Sequence, residues 1–257
     1  MIEDLWVNGP TGEFCSLLAN ASDCVVSRLR LDGLAALCAV EGEEVVAARY
    51  LVPGEFAQWQ GFRLPKRRLE WLGGRIAAKD AAMRWQGLVA ADCDWQQWQL
   101  AVLPSGRPEF AAGVTPLPEM SISHSDGQAV AVAMGNRCGI DIQYHRDAVV
   151  RVISRFAQPG EVDLLAANFG ELPEVARLTM LWSVKEAIRK AVQVEPLPAF
   201  EEMELAAVRG ASTGVMIFEC CFRRPSEDLR VEVGVILDGD FAVALAAIPT
   251  GSQFGDK

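Results

Sequence analysis

The sequence predicts an α+β fold made of two similar halves. Three observations carry that expectation. Apolar, β-branched runs recur on either side of short turn signals, as in "LRVEVGVIL" and "FAVALAAI" around Asp238-Gly239-Asp240. A long stretch beginning at Pro65 has helical apolar spacing. The order of hairpin, helix and strands then occurs twice along 257 residues, with no obvious identity between the halves.

From the N-terminus, "CVVSRLRL" and "LAALCAV" flank Asp32-Gly33 and read as a hairpin. "GEEVVAARYLV" reads as a further strand. "PKRRLEWLGGRIAAKDAAMRWQGL" places apolar residues at 69, 72, 76 and 83, with Pro65 as a start signal. Gly73-Gly74 inside it points to close packing, a bend or a ligand's approach. "WQLAVL" reads as a strand, and the Pro/Gly-rich residues after it as a loop. The boundary between halves is expected near residues 111–118. That gives subdomains of residues 1–115 and 116–250, with a tail at 251–257. In the second half, "AVAVAM" and "CGIDIQ" flank Gly135-Asn136-Arg137 and read as another hairpin. A helix-rich stretch follows to about residue 193, and strands close the chain.

Composition bounds the function. Net charge is −10 and the pI is 4.8, which disfavours nucleic-acid binding. No run reaches the ~18 apolar residues of a membrane span. The start lacks a signal pattern, so a cytoplasmic protein is expected. Seven cysteines without a metal-ligand spacing read as free thiols in a reducing compartment. A polyanionic ligand would have to meet a local basic cluster. Those on offer are Lys66 to Arg68, Arg75, Arg107, Lys185, Arg189 and Lys190.

Four segments hold residues suited to chemistry. In "GIDIQ", Ile140 and Ile142 would share one strand face and Asp141 and Gln143 the other. Asp141 is then either an edge carboxylate facing water or a ligand for a hard cation such as Mg2+. "LTMLWSVKEAIRKAVQ" puts Leu178, Leu181, Trp182, Ile188 and Val192 near one helical face and Lys185, Glu186, Arg189 and Lys190 on another. Those charges suit either a solvated i,i+4 pair or a metal-bound phosphate. "SGRPEF" sets Arg107 in a tight turn. In "SISHS", Ser123 and His124 could be a nucleophile and base, or hydrogen-bond donors to phosphate. No GxSxG elbow supports the first, and no third acid is nominated.

The order "GRP", "SISHS", "GIDI", "WSVKEAIRK", with "LGGRIAAK" upstream, resembles the 4′-phosphopantetheinyl transferase superfamily over roughly residues 66–193. The length and two halves resemble its larger, surfactin-synthetase-activating type. The resemblance implies two α/β subdomains related by pseudo-twofold symmetry, with coenzyme A and metal in the cleft between them, and a monomer. It implies transfer of 4′-phosphopantetheine from coenzyme A to a serine of an acyl, peptidyl or aryl carrier protein, with 3′,5′-ADP leaving. Such a step is mostly positioning and charge neutralisation.

By that resemblance Asp141 binds Mg2+, replaceable by Mn2+, and Glu186 is a second metal ligand or the base. Lys190 contacts the pyrophosphate. His124, with Ser123, holds coenzyme A phosphates. Arg107 and Arg75 reach the 3′-phosphate, and Lys185 is a further contact. Gln143 stands where an acid is usual in bacterial members, and its carbonyl or a water fills that metal position. A member that binds coenzyme A or carrier without transfer is the alternative that Gln143 keeps open. Residues 149–165, with Arg151, Val152, Arg155 and Phe156, resemble the region that meets the carrier. The carrier stays open among those of fatty-acid synthesis and of secondary metabolism, the polyketide, siderophore and other peptide synthetases.

Overall fold

The computed structural model describes residues 5–7, 17–18, 20–89, 92–210, 214–224 and 227–249. The expected tail at 251–257 lies outside the described residues. Helices and antiparallel sheets are mixed, as expected for an α+β chain. The chain divides into two compact units, one built on Asp23–Gly135 and one whose body begins at Asn136. The division thus falls after Gly135, later than the sequence places it.

The first unit begins with β1 (Val25–Arg30). Helices α1 (Leu31–Glu41), α2 (Glu43–Tyr50), α3 (Pro53–Gln60) and α4 (Pro65–Trp85) follow. Then come β2 (Gln99–Val102), β3 (Pro108–Ala112), β4 (Glu119–Ser125) and β5 (Gln128–Met134). Strands β1, β5 and β4 pair antiparallel in that order, and β2 pairs with β3. Because β5 runs between β1 and β4, residues 119–134 belong to the first unit, which moves the boundary.

Three local expectations are corrected here. Asp32-Gly33 lies inside α1, so no hairpin forms there. Leu31, Leu34 and Leu37 are buried on one side, a helical spacing that outweighs the turn dipeptide. Residues 43–50 are helical, since Val46, Ala47 and Tyr50 are the buried ones. The supposed loop after β2 contains β3. The hairpin turn is instead Asp126-Gly127, with φ of 43° and 82°, joining β4 to β5 in register. Positive φ at both central residues is the geometry that follows strand twist.

Helix α4 is buried from Trp71 to Met83. A Cβ on Gly73 would lie 2.3 Å from Leu31 Cδ2, so the glycine pair serves packing. The alternate residues Ala129, Ala131 and Ala133 of β5 join the core under α4. At its centre Lys79, with 0% exposure, donates to Glu55 Oε2 at 2.7 Å and to the Tyr50 carbonyl at 2.6 Å. Desolvation lowers the Lys79 pKa, and the Glu55 charge opposes that. Asp80 accepts a hydrogen bond from Ser27 and pairs with Arg84 at 3.5 Å.

The second unit begins with β6 (Arg137–Tyr144), α5 (Ala148–Arg151) and a 3-10 turn (Ile153–Arg155). Helices α6 (Pro159–Asn168) and α7 (Glu174–Val192) precede β7 (Met203–Gly210). The chain then forms β8 (Met216–Arg224), β9 (Glu227–Asp238) and β10 (Phe241–Ile248). Their sheet order is β6-β10-β9-β8-β7. The β9–β10 hairpin at Asp238 to Asp240 forms as expected. The expected β5–β6 hairpin does not. Both strands exist, but β5 pairs with β1 and β4 while β6 pairs with β10.

Helix α7 lies on a floor of small residues. Ala242, Ala244 and Ala246 of β10 pair with Gln143, Asp141 and Gly139 of β6 and share the core beneath α7. A Cβ on Gly139 would sit 1.9 Å from the Ala187 carbonyl oxygen and 2.7 Å from the Ala191 nitrogen. Backbone therefore meets backbone there.

Cys38, Cys93, Cys138, Cys220 and Cys221 are free thiols as expected, but Cys24 lies in a disulfide, which corrects that expectation. Among the described residues, no helix is long and apolar enough to cross a membrane.

Two outcomes follow from this packing. Gly139→Ala should cost about 3 kcal/mol or more, because helix backbone must retreat. Gly73→Ala should stay within about 1 kcal/mol, because a leucine end can swing and the helix gains propensity. Urea unfolding of the two variants tests the contrast, and equal losses would contradict it. Separately, burial raises the Asp80 pKa against the opposing pull of Ser27 and Arg84. A carboxyl raised in the folded state favours folding below its ordinary value, about pH 4, and loses that contribution as pH rises through the folded value. Wild type should therefore lose stability relative to Asp80→Asn as pH climbs from about 4. Parallel profiles would contradict the assignment.

Candidate active site

The residues singled out in the sequence fall in both units, and each group is built within its own unit. In the second, Asp141 sits mid-strand in β6 with 2% exposure. Its Oδ1 accepts from Lys190 Nζ at 2.8 Å, and its Oδ2 accepts from Gln143 Nε2 at 3.1 Å. Lys190 Nζ also reaches the Ile140 carbonyl at 2.9 Å. The expected alternation holds, because Asp141 and Gln143 point toward α7 while Ile140 and Ile142 point to the other face. A buried carboxylate needs such partners to remain ionised.

Helix α7 runs opposite to β6. Gly139 meets Ala187, Lys190 and Ala191, whereas Gln143 and Tyr144 line a cavity with Thr179 and Trp182. Glu186 lies one turn before Lys190, between those two contacts, and so flanks the Asp141–Gln143 stretch. Its side chain is 21% exposed and pairs with Arg189 Nη1 at 2.8 Å. Arg189 in turn lies over the Phe200 ring, 4.8 Å from its centre.

One assignment is corrected. Lys185 is fully buried, and its Nζ donates to Glu161 Oε2 at 2.8 Å, to the Phe156 carbonyl at 2.7 Å and to the Phe200 carbonyl at 3.4 Å. An ammonium has three protons, and all are used inside the protein, so Lys185 is not a coenzyme A contact. Gln143 donates its amide N–H to Asp141 Oδ2 and so supports that carboxylate. Among the described residues, no group of three or more His, Cys, Asp or Glu side chains is placed to hold a metal. The oxygens of Asp141 and Glu186 suit a hard divalent cation only when a ligand brings further oxygens, which is how Mg2+ is commonly held.

In the first unit, His124 lies on the α4 side of β4, the side of Met120 and Ile122. Its Nε2 is 3.2 Å from Arg67 Nη1, and its Nδ1 is 3.8 Å from Glu70 Oε1. Lys66 pairs with the same Glu70 at 3.8 Å. Arg75 is buried under the Trp71 ring at 4.3 Å, and its Nε makes no hydrogen bond. Burial brings its pKa down to about 10, Glu55 opposes the fall, and Arg67 adds to it. Arg75 Nε lies 3.7 Å from the buried Glu55 Oε1, so the cations that gather at His124 are Arg67 and, through Glu70, Lys66. The sequence nominated the basic run, but not the part Glu70 plays in gathering it.

Ser123 does not join this group. It is one residue from His124 on the same strand, so it points to the opposite face of the sheet and is buried there. That geometry removes both the Ser123–His124 nucleophile and base pair and the joint grip on phosphate. Arg107 pairs with Glu119 Oε2 at 2.8 Å, at the other end of β4 from His124. Five residues of strand separate Glu119 from His124, roughly 16 Å.

The stretch expected to meet a carrier runs through α5 and the 3-10 turn into α6, which Pro159 opens. Val149 and Val152 line the cavity, about 200 Å3, with Gln143, Tyr144, Arg146 and Trp182. Arg151 and Arg155 are exposed. Phe156 is core, packed edge-on against Trp182 with centroids 5.0 Å apart.

Comparison with known proteins bears on the same unit. Residues 137–246 match the model of the 4′-phosphopantetheinyl transferase superfamily. A holo-[acyl-carrier-protein] synthase of Exiguobacterium sibiricum is 34% identical over 83 residues, 32% of this chain and 65% of that protein. Enterobactin synthase component D of Salmonella austin is 31% identical over 150 residues, 56% of each chain. This chain therefore spans less than two thirds of the length of these relatives. A crystal structure of a holo-(acyl-carrier-protein) synthase from Bacillus anthracis in complex with CoA (3′,5′-ADP) aligns with a TM-score of 0.38 at 22% identity, over 43% of this chain and 91% of that one. The strand of Asp141 and the helix of Glu186 and Lys190 lie inside the matched segment. Over residues 137–246, then, this chain is similar to the 4′-phosphopantetheinyl transferase superfamily.

Proposed function

We propose that the protein transfers 4′-phosphopantetheine from coenzyme A to a serine of an apo carrier protein, acting as a monomer. The observation that carries the reading is the buried Asp141 carboxylate, flanked by Lys190 and by the helix turn bearing Glu186. It lies within the segment that matches the family. The relative named as a holo-[acyl-carrier-protein] synthase supports the same direction.

In this reading the carrier serine oxygen attacks the β-phosphorus of the coenzyme A pyrophosphate. The bond from that phosphorus to the bridging oxygen breaks, and 3′,5′-ADP leaves. Bound Mg2+ would supply charge neutralisation on the pyrophosphate oxygens. Asp141 would hold it, joined by Glu186 or by oxygens of the ligand. Lys190 is close enough to Asp141 to exchange that contact for a phosphate oxygen. Glu186, partly exposed, takes the serine proton when it is not engaged by metal, because coordination lowers carboxylate basicity. His124, Arg67 and Arg75 bind phosphate of coenzyme A, and Arg107 contributes separately. The exposed Arg151 and Arg155 beside a mostly apolar cavity suit an acidic carrier.

Incubation with apo carrier, coenzyme A and Mg2+ should add the phosphopantetheine mass to the carrier. No mass gain on several carrier types, with coenzyme A binding intact, would instead favour a member that binds without transfer. Asp141→Ala should lower kcat by about a thousandfold, whereas Gln143→Glu should retain activity and require less Mg2+. His124→Ala should raise KM for coenzyme A by about tenfold, the worth of one charge-assisted hydrogen bond. Ser123→Ala should leave KM within about twofold. Equal effects at positions 123 and 124 would contradict the opposite-face placement.

A further inference from the structure

The two units contain the same buried clamp. In the second unit, Lys185 Nζ binds Glu161 at a separation of 24 residues and the Phe156 carbonyl at 29. In the first, Lys79 Nζ binds Glu55 at 24 residues and the Tyr50 carbonyl at 29. Each glutamate also accepts from the backbone N–H three residues before it, Gln158 at 2.7 Å and Val52 at 3.1 Å. Each closes onto a later strand as well, Leu205 N at 2.8 Å or Leu100 N at 3.1 Å. Both glutamates end a Pro-Gly-Glu triplet, Pro53 to Glu55 and Pro159 to Glu161.

The clamp's neighbours correspond too. Asp80 follows Lys79 as Glu186 follows Lys185. Arg84 stands one turn beyond Asp80, and Lys190 one turn beyond Glu186. Ser27 pairs in register with Ala131, the middle of the alanine triplet under α4. Asp141 pairs with Ala244, the middle of the triplet under α7. In the first unit the outcome is directly visible. Asp80 lands on Ser27 through a hydrogen bond, and Arg84 Nη1 reaches Ser27 Oγ at 3.4 Å and Asp80 at 3.5 Å. The residue after the clamp lysine is thus delivered to the middle of the adjacent strand. In the second unit Lys190 already meets Asp141, as Arg84 meets Ser27.

We propose that Lys185 and Glu161 are positioning residues of the transfer site: their buried pair seats α7 so that Glu186 stands against Asp141, and Lys185 touches no ligand. The inference rests on the transfer reading above. Its physical basis is that Lys185 ties α7 to three other segments, the 3-10 turn ending near Phe156, α6 through Glu161, and the segment at Phe200. The clamp does the same work in the first unit, where the strand carries a hydroxyl in place of the second carboxylate. It belongs to the building plan of the helix and is separable from the chemistry that the helix presents.

The test is a double-mutant cycle on the full chain. Lys185→Met and Glu161→Gln are each made alone and with Glu186→Gln, and kcat and KM for coenzyme A are read on protein whose near-UV circular dichroism is native. Each single change should lower kcat by about tenfold or more, as expected when a reacting group is misplaced, with KM within about threefold. In the Glu186→Gln background neither should lower the residual rate further. Unchanged kcat in the singles would make the pair a stability element only and overturn the inference. Multiplicative losses would overturn it too. So would a KM rise in Lys185→Met that Glu161→Gln does not reproduce, which would mark a ligand contact. If Lys185→Met does not fold, Glu161→Gln and Lys185→Arg carry the same readings. A wild type that transfers nothing to any carrier overturns the functional reading and this inference with it. Transfer by wild type with additive losses overturns the inference alone.

Discussion

The contact between α7 and β6 at Gly139 is the constraint on which the site depends. No side chain separates the helix backbone from the strand there, since even a methyl group would meet the Ala187 carbonyl at 1.9 Å. The alanines of β10 extend this shallow floor on one side. A helix seated so low can place Lys190 on a carboxylate that projects from the middle of a sheet. With a larger floor, Asp141 would be a buried charge with too distant a cation, and burying it would be too costly to sustain.

Depth alone does not set a helix's rotation or its slide. Those are fixed by the Lys79–Glu55 and Lys185–Glu161 pairs, which backbone groups help to complete and which Arg75 joins in the first unit. Such pairs add little net stability, because desolvation offsets much of their attraction. What they add is uniqueness, since a register slip would strand a charge in the core. Their recurrence, with the same chain separations, also explains why a lysine within a charged motif can be structural. Lys185 and Lys190 look equivalent in the sequence, yet one is sealed inside and the other remains partly open.

The errors of sequence reading have a common physical source. Asp32-Gly33 and Asp126-Gly127 are the same dipeptide, but only the second is flanked by alternating residues that fit a strand face. The first is overridden by leucines at helical spacing. Likewise β5 and β6 were both legible as strands, but pairing is a long-range choice. β5 is claimed by β1, about a hundred residues earlier, and β6 by β10, about a hundred residues later.

The sequence by itself determined the mixed α+β character, helix α4 with its proline start, the β9–β10 hairpin and the alternation that turns Asp141 away from Ile140 and Ile142. It also nominated Asp141, Glu186, Lys190 and His124, because ionisable groups within apolar periodic segments are visible without coordinates. Only the tertiary structure decided which of the nominated residues can act. It placed Ser123 on the face opposite His124, consumed Lys185 in a buried pair, turned the Gln143 amide toward Asp141 and set Arg67 beside His124. Those outcomes depend on which face of each strand a helix covers and on which carbonyls lie within reach of an ammonium. Neither is a property of any local stretch of chain.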